Sequence, residues 1–309
     1  MSSIAQAMSE LSKFAIALGV VAATGGVLYF MWRKTKKNKP VLLQDSEHKY
    51  KVPLIGKEIV SHDTRRFRFG LPSPDHVLGL PIGQHIHVIT KLDEKLVIRP
   101  YTPVTDDQDY GYFELIIKVY FKDVHPKFPK GGKMTQHLDS LNIGDIIEVR
   151  GPSGLLKYQD NGRFSIRPKK GAPPRHITVN RIGMIAGGSG VTPCYQLLKH
   201  VLIHERNAKI QLSLIFANQK QDDILLREEL DQLAIDYADQ FRIWYTVDHP
   251  PPNWSYSVGF INEDMIREHL PPPGPDTFVL LCGPPPMIDF ACKPNLDKIG
   301  YEHDLVYPY

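Results

Sequence analysis

The sequence predicts an N-terminal transmembrane helix followed by two globular halves, an antiparallel β-barrel and an α/β domain on a doubly wound parallel sheet. Three observations carry that expectation. Residues 14–32 contain no charged side chain, and about 19 such residues make roughly 28 Å of helix, close to the hydrocarbon thickness of a bilayer. Between residues 51 and 150, short runs alternate apolar with polar at period two and are broken by Gly and Pro, as in small antiparallel barrels. Beyond residue 150 the strands become apolar runs with few polar interruptions and helical segments fall between them, which requires a sheet buried on both faces. A chain of 309 residues is long enough for two ordinary domains plus an appendage.

Residues 1–13 precede the span at 14–32. Arg33, Lys34, Lys36, Lys37 and Lys39 follow it directly, so 33–49 reads as a basic juxtamembrane linker and the positive-inside tendency places everything after it in the cytosol. A cleaved signal peptide is the competing reading, given Ala22-Ala23 and Gly25-Gly26, but the charge stands behind the apolar run and not before it. Ser2 excludes N-myristoylation, which needs Gly there. The five linker cations outweigh the formal net charge of +3, so the remaining chain is slightly acidic. The basic sequence pI therefore gives no support for nucleic-acid binding, and no basic helix with interleaved aromatics is present. Cys194, Cys282 and Cys292 are odd in number and lack CxxC spacing, which argues against a disulfide framework or structural zinc and fits a reducing compartment.

The barrel is expected over 50–154, with strands at 51–60, 65–69, 85–90, 95–98, 113–120 and 145–150. In the fifth, Phe113, Leu115, Ile117 and Val119 alternate with Glu114, Ile116, Lys118 and Tyr120, giving one face to a core. Arg99-Pro100-Tyr101-Thr102 sets a cation, a fixed kink, a phenol and a hydroxyl in a row. That set can grip both ends of a large anionic aromatic cofactor such as a flavin, although the tetrapeptide alone also suits a strand end turning at proline. Gly131-Gly132-Lys133-Met134-Thr135 then precedes a short helix at 134–141. Paired glycines before a helix start let the backbone approach phosphate oxygens, so the module holds two phosphate grips.

Residues 155–181, rich in Pro, Lys and Gly, read as an interdomain linker. The α/β domain follows over 182–309, with strands at 182–186, 210–217, 241–247 and 277–282 and helices at 191–206 and 222–237. Its first strand runs into Gly187-Gly188-Ser189-Gly190-Val191-Thr192-Pro193, where Thr192 can cap the next helix and Pro193 can open it. This is not G-x-G-x-x-G and lacks the acid about twenty residues on, so the dinucleotide fingerprint is not met. The last strand ends in Cys282-Gly283-Pro284-Pro285-Pro286-Met287, a shaped gap without a strong acid or base, facing the same crevice. Asp248 closes the third strand, where a carboxylate can accept from ribose hydroxyls and repel a 2′-phosphate. His200 and His204 are four apart, but the sequence supplies no Glu between them and no third ligand, so no metal site is expected. No Ser-centred elbow or P-loop is present.

These four motifs, in this order and at these separations, resemble the ferredoxin-reductase-type flavoproteins from about residue 50 to the C-terminus. Val119-Tyr120-Phe121-Lys122, Phe128-Pro129 and the Cys282 run narrow the likeness to the NADH-cytochrome b5 reductases. The resemblance implies FAD on the barrel, contacted by Arg99, Pro100, Tyr101, Thr102, Ile116, Lys118, Phe121, Gly132, Lys133, Met134, Thr135 and Thr192. It implies NADH on the α/β domain, placed by Gly187, Gly188, Gly190, Asp248, Cys282, Gly283, Pro284 and Met287. Thr102 would stand near flavin N5 with His85 behind it as a proton relay, and Cys282 would stand at the nicotinamide. Ser189 departs from the more usual Thr, losing a methyl. The implied reaction is hydride transfer from NADH to FAD, then release of single electrons to the haem of cytochrome b5, with Lys130, Lys133, Lys169 and Lys170 as docking cations. The implied membrane is the endoplasmic reticulum or the mitochondrial outer membrane, with the catalytic domains facing the cytosol. A ferric chelate or quinone as acceptor, or a non-enzymatic membrane scaffold, are the rival functions.

Overall fold

The computed structural model describes residues 39–124, 126, 128–205 and 209–309. The expected span at 14–32, the segment before it and the linker up to residue 38 lie outside the described residues. Among the described residues no helix is long and apolar enough to cross a membrane.

In the first half, β1 (Tyr50–Ile59), β2 (Thr64–Gly70), β3 (His85–Leu92), β4 (Lys95–Tyr101), β5 (Tyr112–Lys118) and β6 (Ile146–Ser153) form one sheet in the order β4-β3-β6-β1-β2-β5. Every ladder in it is antiparallel. No pairing joins β4 to β5 among the described residues, so the sheet is a half-barrel. Period-two alternation turns Val52, Leu54, Phe67, Phe69, Phe113, Leu115 and Ile117 inward, and α1 (Lys133–Ser140) adds Met134 and Leu138 to that core. Strand β4 runs three residues beyond its expected end, so Arg99, Pro100 and Tyr101 are strand residues. Pro100 is tolerated there because β4 is the sheet edge, where a missing N–H breaks no ladder on the open side.

The stretch expected to be a linker folds into a sheet of its own. Strands β7 (Leu156–Tyr158), β8 (Arg163–Ile166) and β9 (Arg175–Thr178) pair antiparallel. Their apolar residues Leu156, Tyr158, Phe164 and Ile166 are buried in the core of the second half.

That second half carries β10 (Arg181–Gly187), α2 (Val191–Lys199), β11 (Gln211–Lys220), α3 (Arg227–Asp236), β12 (Phe241–His249), β13 (Ser257–Val258), α4 (Glu263–His269), β14 (Thr277–Cys282), α5 (Pro285–Met287), α6 (Lys293–Ile299) and β15 (Val306–Pro308). Its sheet is wholly parallel in the order β13-β12-β11-β10-β14-β15. The winding direction reverses between β10 and β14, which opens a crevice beyond their carboxyl ends. Helix α2 ends at Lys199 and passes into a π turn over His200–His204. The next helix starts only at Arg227, because Leu226 sits at φ +56 and breaks the run from the short turn Gln221–Asp223.

Residues 41–309 form one compact unit. Val104 and Ile116 of the half-barrel side belong to the core of the parallel-sheet half. Around that apolar joint, Gly83 N donates to Gln196 Oε1 at 2.8 Å, Arg66 bonds both Glu114 (3.1 Å) and Glu229 (2.6 Å), and Lys118 Nζ lies 2.9 Å from Asp63 and 2.6 Å from Asp223.

Candidate functional site

The loops after β10 and β14 interlock at the switch point. A Cβ on Gly190 would stand 2.2 Å from the Cys282 carbonyl oxygen, one on Gly187 would stand 2.7 Å from Met287 Sδ, and one on Gly283 would meet Met287 Cε at 2.5 Å and Gly187 N at 3.1 Å. At Gly190 the obstacle is main chain and cannot move aside, whereas at Gly187 and Gly283 the nearest atoms belong to the Met287 side chain, with Pro284 Cδ at 2.9 Å and Gly187 N at 3.1 Å next. Gly188 differs, with φ +53 and nothing within 4 Å of the place its Cβ would take, so it leaves open space before the first turn of α2. The short turn Gly188–Gly190 feeds straight into that helix, which therefore begins at Val191. Thr192 and Pro193 consequently sit at its second and third positions, and the Thr192 hydroxyl donates to Ser189 O at 3.2 Å instead of capping. Proline at the third position still costs no helical hydrogen bond, because the first four amides have no intrahelical partner.

The same carboxyl edge holds two further groups. Asp248 lies near the end of β12, two strands away from β10. Asn218, one residue past the Gly187↔Ala217 pair on β11, has both Oδ1 and Nδ2 buried without a hydrogen-bond partner. A buried carboxamide with a vacant donor and a vacant acceptor is costly unless a polar ligand meets it. Asn218 escaped the sequence reading, and its only signal was an amide at the carboxyl end of an apolar strand. Cys282 is half-buried, and burial pushes its thiol up to about 11. It is therefore a neutral, shape-giving group at pH 7 and not a nucleophile.

On the half-barrel side, Arg99 and Pro100 are exposed on the edge strand, with Arg99 Nη1 donating to Ile98 O at 2.8 Å. Tyr101 packs against the core, and burial raises its phenol well above the usual range. Ile86 pairs with Tyr101, so His85 and Thr102 are the next positions in register. Burial first, and the neighbouring His87 second, hold the His85 imidazole down to about 4, which keeps it neutral at pH 7. At the second grip, Gly131 takes φ +63 with a hypothetical Cβ 2.3 Å from Tyr120 O. Gly132 N donates to that same carbonyl at 2.7 Å, and Thr135 Oγ1 accepts from Tyr120 N and donates to Gly132 O. These bonds fix the start of α1, whose Lys133 and Met134 amides have no carbonyl within the helix to bond. This grip and the Gly188–Gly190 turn both border β5: Tyr120 follows it, and the turn packs on it.

Four expected contacts are differently engaged. Ile116 and Met134 are core side chains, 4% and 2% exposed, so their main chain is what they can offer a ligand. Lys118 is held between two carboxylates, one from each half. Phe121 lies beside the Arg65 guanidinium, which stands 5.8 Å from the ring centroid.

Two helix starts without side-chain caps, a glycine with open space above it and an orphaned carboxamide on one wall fit a long phosphate-bearing pair of ligands. The pattern of the oxidoreductase FAD-binding domain matches residues 51–158, and that of the oxidoreductase NAD-binding domain matches residues 184–293. NADH-cytochrome b5 reductase 2 of Gallus gallus is 54% identical over 89% of this chain and 90% of its own length. NADH-cytochrome b5 reductase 1 of Homo sapiens is 52% identical over 95% of this chain and 96% of its own. The crystal structure of the cytochrome b5 reductase domain of Ulva prolifera nitrate reductase superposes with a TM-score of 0.81 at 42% identity, covering 86% of this chain and 98% of that one. Fold and site thus define a flavin-dependent pyridine-nucleotide oxidoreductase of two joined halves, with FAD and NADH as its cofactors. The chain belongs to the NADH-cytochrome b5 reductase family.

Proposed function

We propose that the protein passes electrons from NADH to the haem of cytochrome b5 while held by residues 14–32 in the endoplasmic reticulum or mitochondrial outer membrane, its folded unit in the cytosol. The observation that carries the reading is near-full-length identity above one half to reductases named for that acceptor. FAD, when bound, takes two electrons from NADH together and releases them singly. The protein positions and shields. Arg99 and the start of α1 receive the flavin pyrophosphate, and Tyr101 flanks its ring system. The start of α2 and Gly188 take the NADH phosphates, Asn218 supplies a donor and an acceptor, and Asp248 receives ribose hydroxyls. Cys282, Gly283 and Pro284 set the nicotinamide plane by shape. The Thr102 hydroxyl holds a proton at the flavin edge, with neutral His85 next to it in register able to pass that proton on. Lys118, fixed by Asp63 and Asp223, adds a positive charge beside β5.

Lys130, Lys133 and Lys169 are exposed cations for an acidic partner, while Lys170 shares its charge with Glu47 at 2.6 Å. The test is NADH-dependent turnover of the detergent-solubilised full chain with cytochrome b5, a ferric chelate and a quinone side by side. Cytochrome b5 should give the highest catalytic efficiency, and that efficiency alone should fall steeply with ionic strength. A salt-independent rate, or preference for either small acceptor, overturns the assignment, and a colourless protein inert to NADH favours the scaffold.

A further inference from the structure

Away from the crevice, the end of α2 carries a cluster that electron transfer does not use. His200 and His204 are the helical pair for which the sequence showed no third ligand. Across the π turn at His200–His204 the two imidazoles stay in edge contact, ring centroids 5.8 Å apart, but their Nε2 atoms take different partners. His204 Nε2 goes to Asp106 Oδ2 at 2.9 Å. His200 Nε2 goes the other way, to 2.9 Å from Asp160 Oδ1 and 3.4 Å from Glu205 Oε1. Asp160 comes from the β7–β8 turn, where Asp160 and Asn161 take φ +59 and +53. The third and fourth members of this group therefore lie forty residues away in sequence or just past the helix end.

Glu205 is the decisive residue. Its side chain is 9% exposed. One oxygen, Oε2, accepts from Tyr158 OH at 3.0 Å and from Asn161 N at 2.8 Å. The other, Oε1, is wholly buried and has no hydrogen-bond partner. It faces His200 Nε2 at a distance too long for a charge-assisted hydrogen bond, which runs to about 2.7–2.9 Å. Against the burial that lowers it, Glu205 and Asp160 raise the pKa of the His200 imidazole, so this oxygen calls for a cation, either the imidazolium or a metal ion that displaces its proton. The three ligand atoms, His200 Nε2, Asp160 Oδ1 and Glu205 Oε1, lie within 4.8 Å of one another. Bonds of about 2.0–2.2 Å to one tetrahedral ion put ligand atoms about 3.4 Å apart, so closing the site needs only small side-chain adjustments.

We propose that Asp160, His200 and Glu205 bind one divalent zinc ion, with water in the fourth position. One imidazole nitrogen beside two carboxylate oxygens suits zinc, whereas calcium and magnesium take oxygen ligands and six or more positions. Tyr158 and Asn161 act as the outer shell that orients Glu205. Asp160, with its side chain 61% exposed, is the open side through which the ion enters. The ion would tie the β7–β8 turn to the end of α2, fastening the small sheet to the nucleotide half, and it would lie outside the electron path.

The experiment is calorimetric titration of Zn²⁺ into the full-length, FAD-loaded, tag-free protein in detergent after treatment with chelator, with thermal melting followed in parallel. The wild type should bind one tight equivalent and melt at a higher temperature with zinc present. Asp160→Asn should weaken binding at least tenfold and abolish the thermal shift while leaving NADH reduction of the flavin unchanged. This variant folds safely because asparagine suits the left-handed backbone at that position. Glu205→Gln should lose the tight equivalent as well, and His204→Asn should keep it. Equal zinc affinity in wild type and Asp160→Asn, or loss of the tight equivalent in His204→Asn, overturns the site, as does a wild type that binds no zinc.

Discussion

Replacing Gly190 with alanine should separate the two nucleotide loops. The new Cβ would come 2.2 Å from the Cys282 carbonyl oxygen, 2.5 Å from its carbon and 2.9 Å from Gly283 N. Non-bonded contacts settle near 3.5 Å, so that carbonyl must retreat by about 1 Å. All three obstacles are main-chain atoms at the end of β14, a strand held by ladders to β10 on one side and β15 on the other. No flexible side chain can absorb the clash. Overpacking of this kind costs about 1–3 kcal/mol, and a shift of about 1 Å in Cys282 and Gly283 would misplace reacting groups enough for a loss of about 10²-fold in rate. The assay is stopped-flow bleaching of the bound flavin by saturating NADH, with FAD content and melting temperature measured on the same sample. Gly300→Ala is the control, since Gly300 ends α6 at φ +101 with nothing within 4 Å. It should lose about 1 kcal/mol of stability through backbone strain and keep its rate. A Gly190→Ala protein bleached as fast as Gly300→Ala refutes the interlock.

Thr102→Val should slow flavin reduction by about 10–100-fold with FAD retained, as expected for loss of a positioned proton donor; unchanged bleaching assigns the hydroxyl no part. Asp248→Ser should raise catalytic efficiency with NADPH relative to NADH by removing charge repulsion, and equal use of both nucleotides by the wild type would remove the basis for this. Lys118→Met leaves Asp63 and Asp223 facing each other without their cation in a largely buried joint. It should cost about 2–4 kcal/mol, set below the range of about 3–5 kcal/mol for broken buried pairs because water and the neighbouring His62 still reach the carboxylates. A urea midpoint matching wild type would show that the clamp contributes nothing. For acid stability, His85 is held at about 4 in the fold against about 6.5 unfolded, so the unfolded chain takes up the proton first as pH falls. The neutral ring's contribution is complete above pH 6.5 and is lost progressively between 6.5 and 4, by at most about 3 kcal/mol and roughly half that after solvent screening. His85→Gln should flatten the slope of unfolding free energy in that window, and an unchanged slope would place the acid sensitivity elsewhere.

The long strands were readable because their burial is written in their own residues. The period-two runs of β1, β2 and β5 and the unbroken apolar runs of β10, β11 and β14 need no partner to be recognised. Strands β7 to β9 were hidden because each offers only one or two apolar residues among Pro, Lys and Gly, and the core that buries Leu156, Tyr158 and Phe164 comes from α2 and the parallel sheet. Pro100 concealed the end of β4, since a proline reads as a strand stop until the strand is known to be an edge. The clamp on Lys118 was not legible because nothing in the sequence links it to Asp223 across the joint.

The glycines show a subtler gap between identity and reason. Gly187, Gly188, Gly190 and Gly283 were all expected to place NADH, the first three in a strand-to-helix turn and the last in a shaped gap. Only Gly188 faces open space that a ligand can use, whereas the other three are bare because two loops of the same chain press together. The two reasons predict different phenotypes. An alanine at 188 should weaken nucleotide affinity and leave the maximal rate nearly intact, because it touches the ligand path and no protein atom. An alanine at 190 should lower the maximal rate, because it moves Cys282 and Gly283 while the phosphate path stays clear. A KM-against-kcat comparison of the two variants therefore separates a glycine kept for the ligand from one kept for the fold.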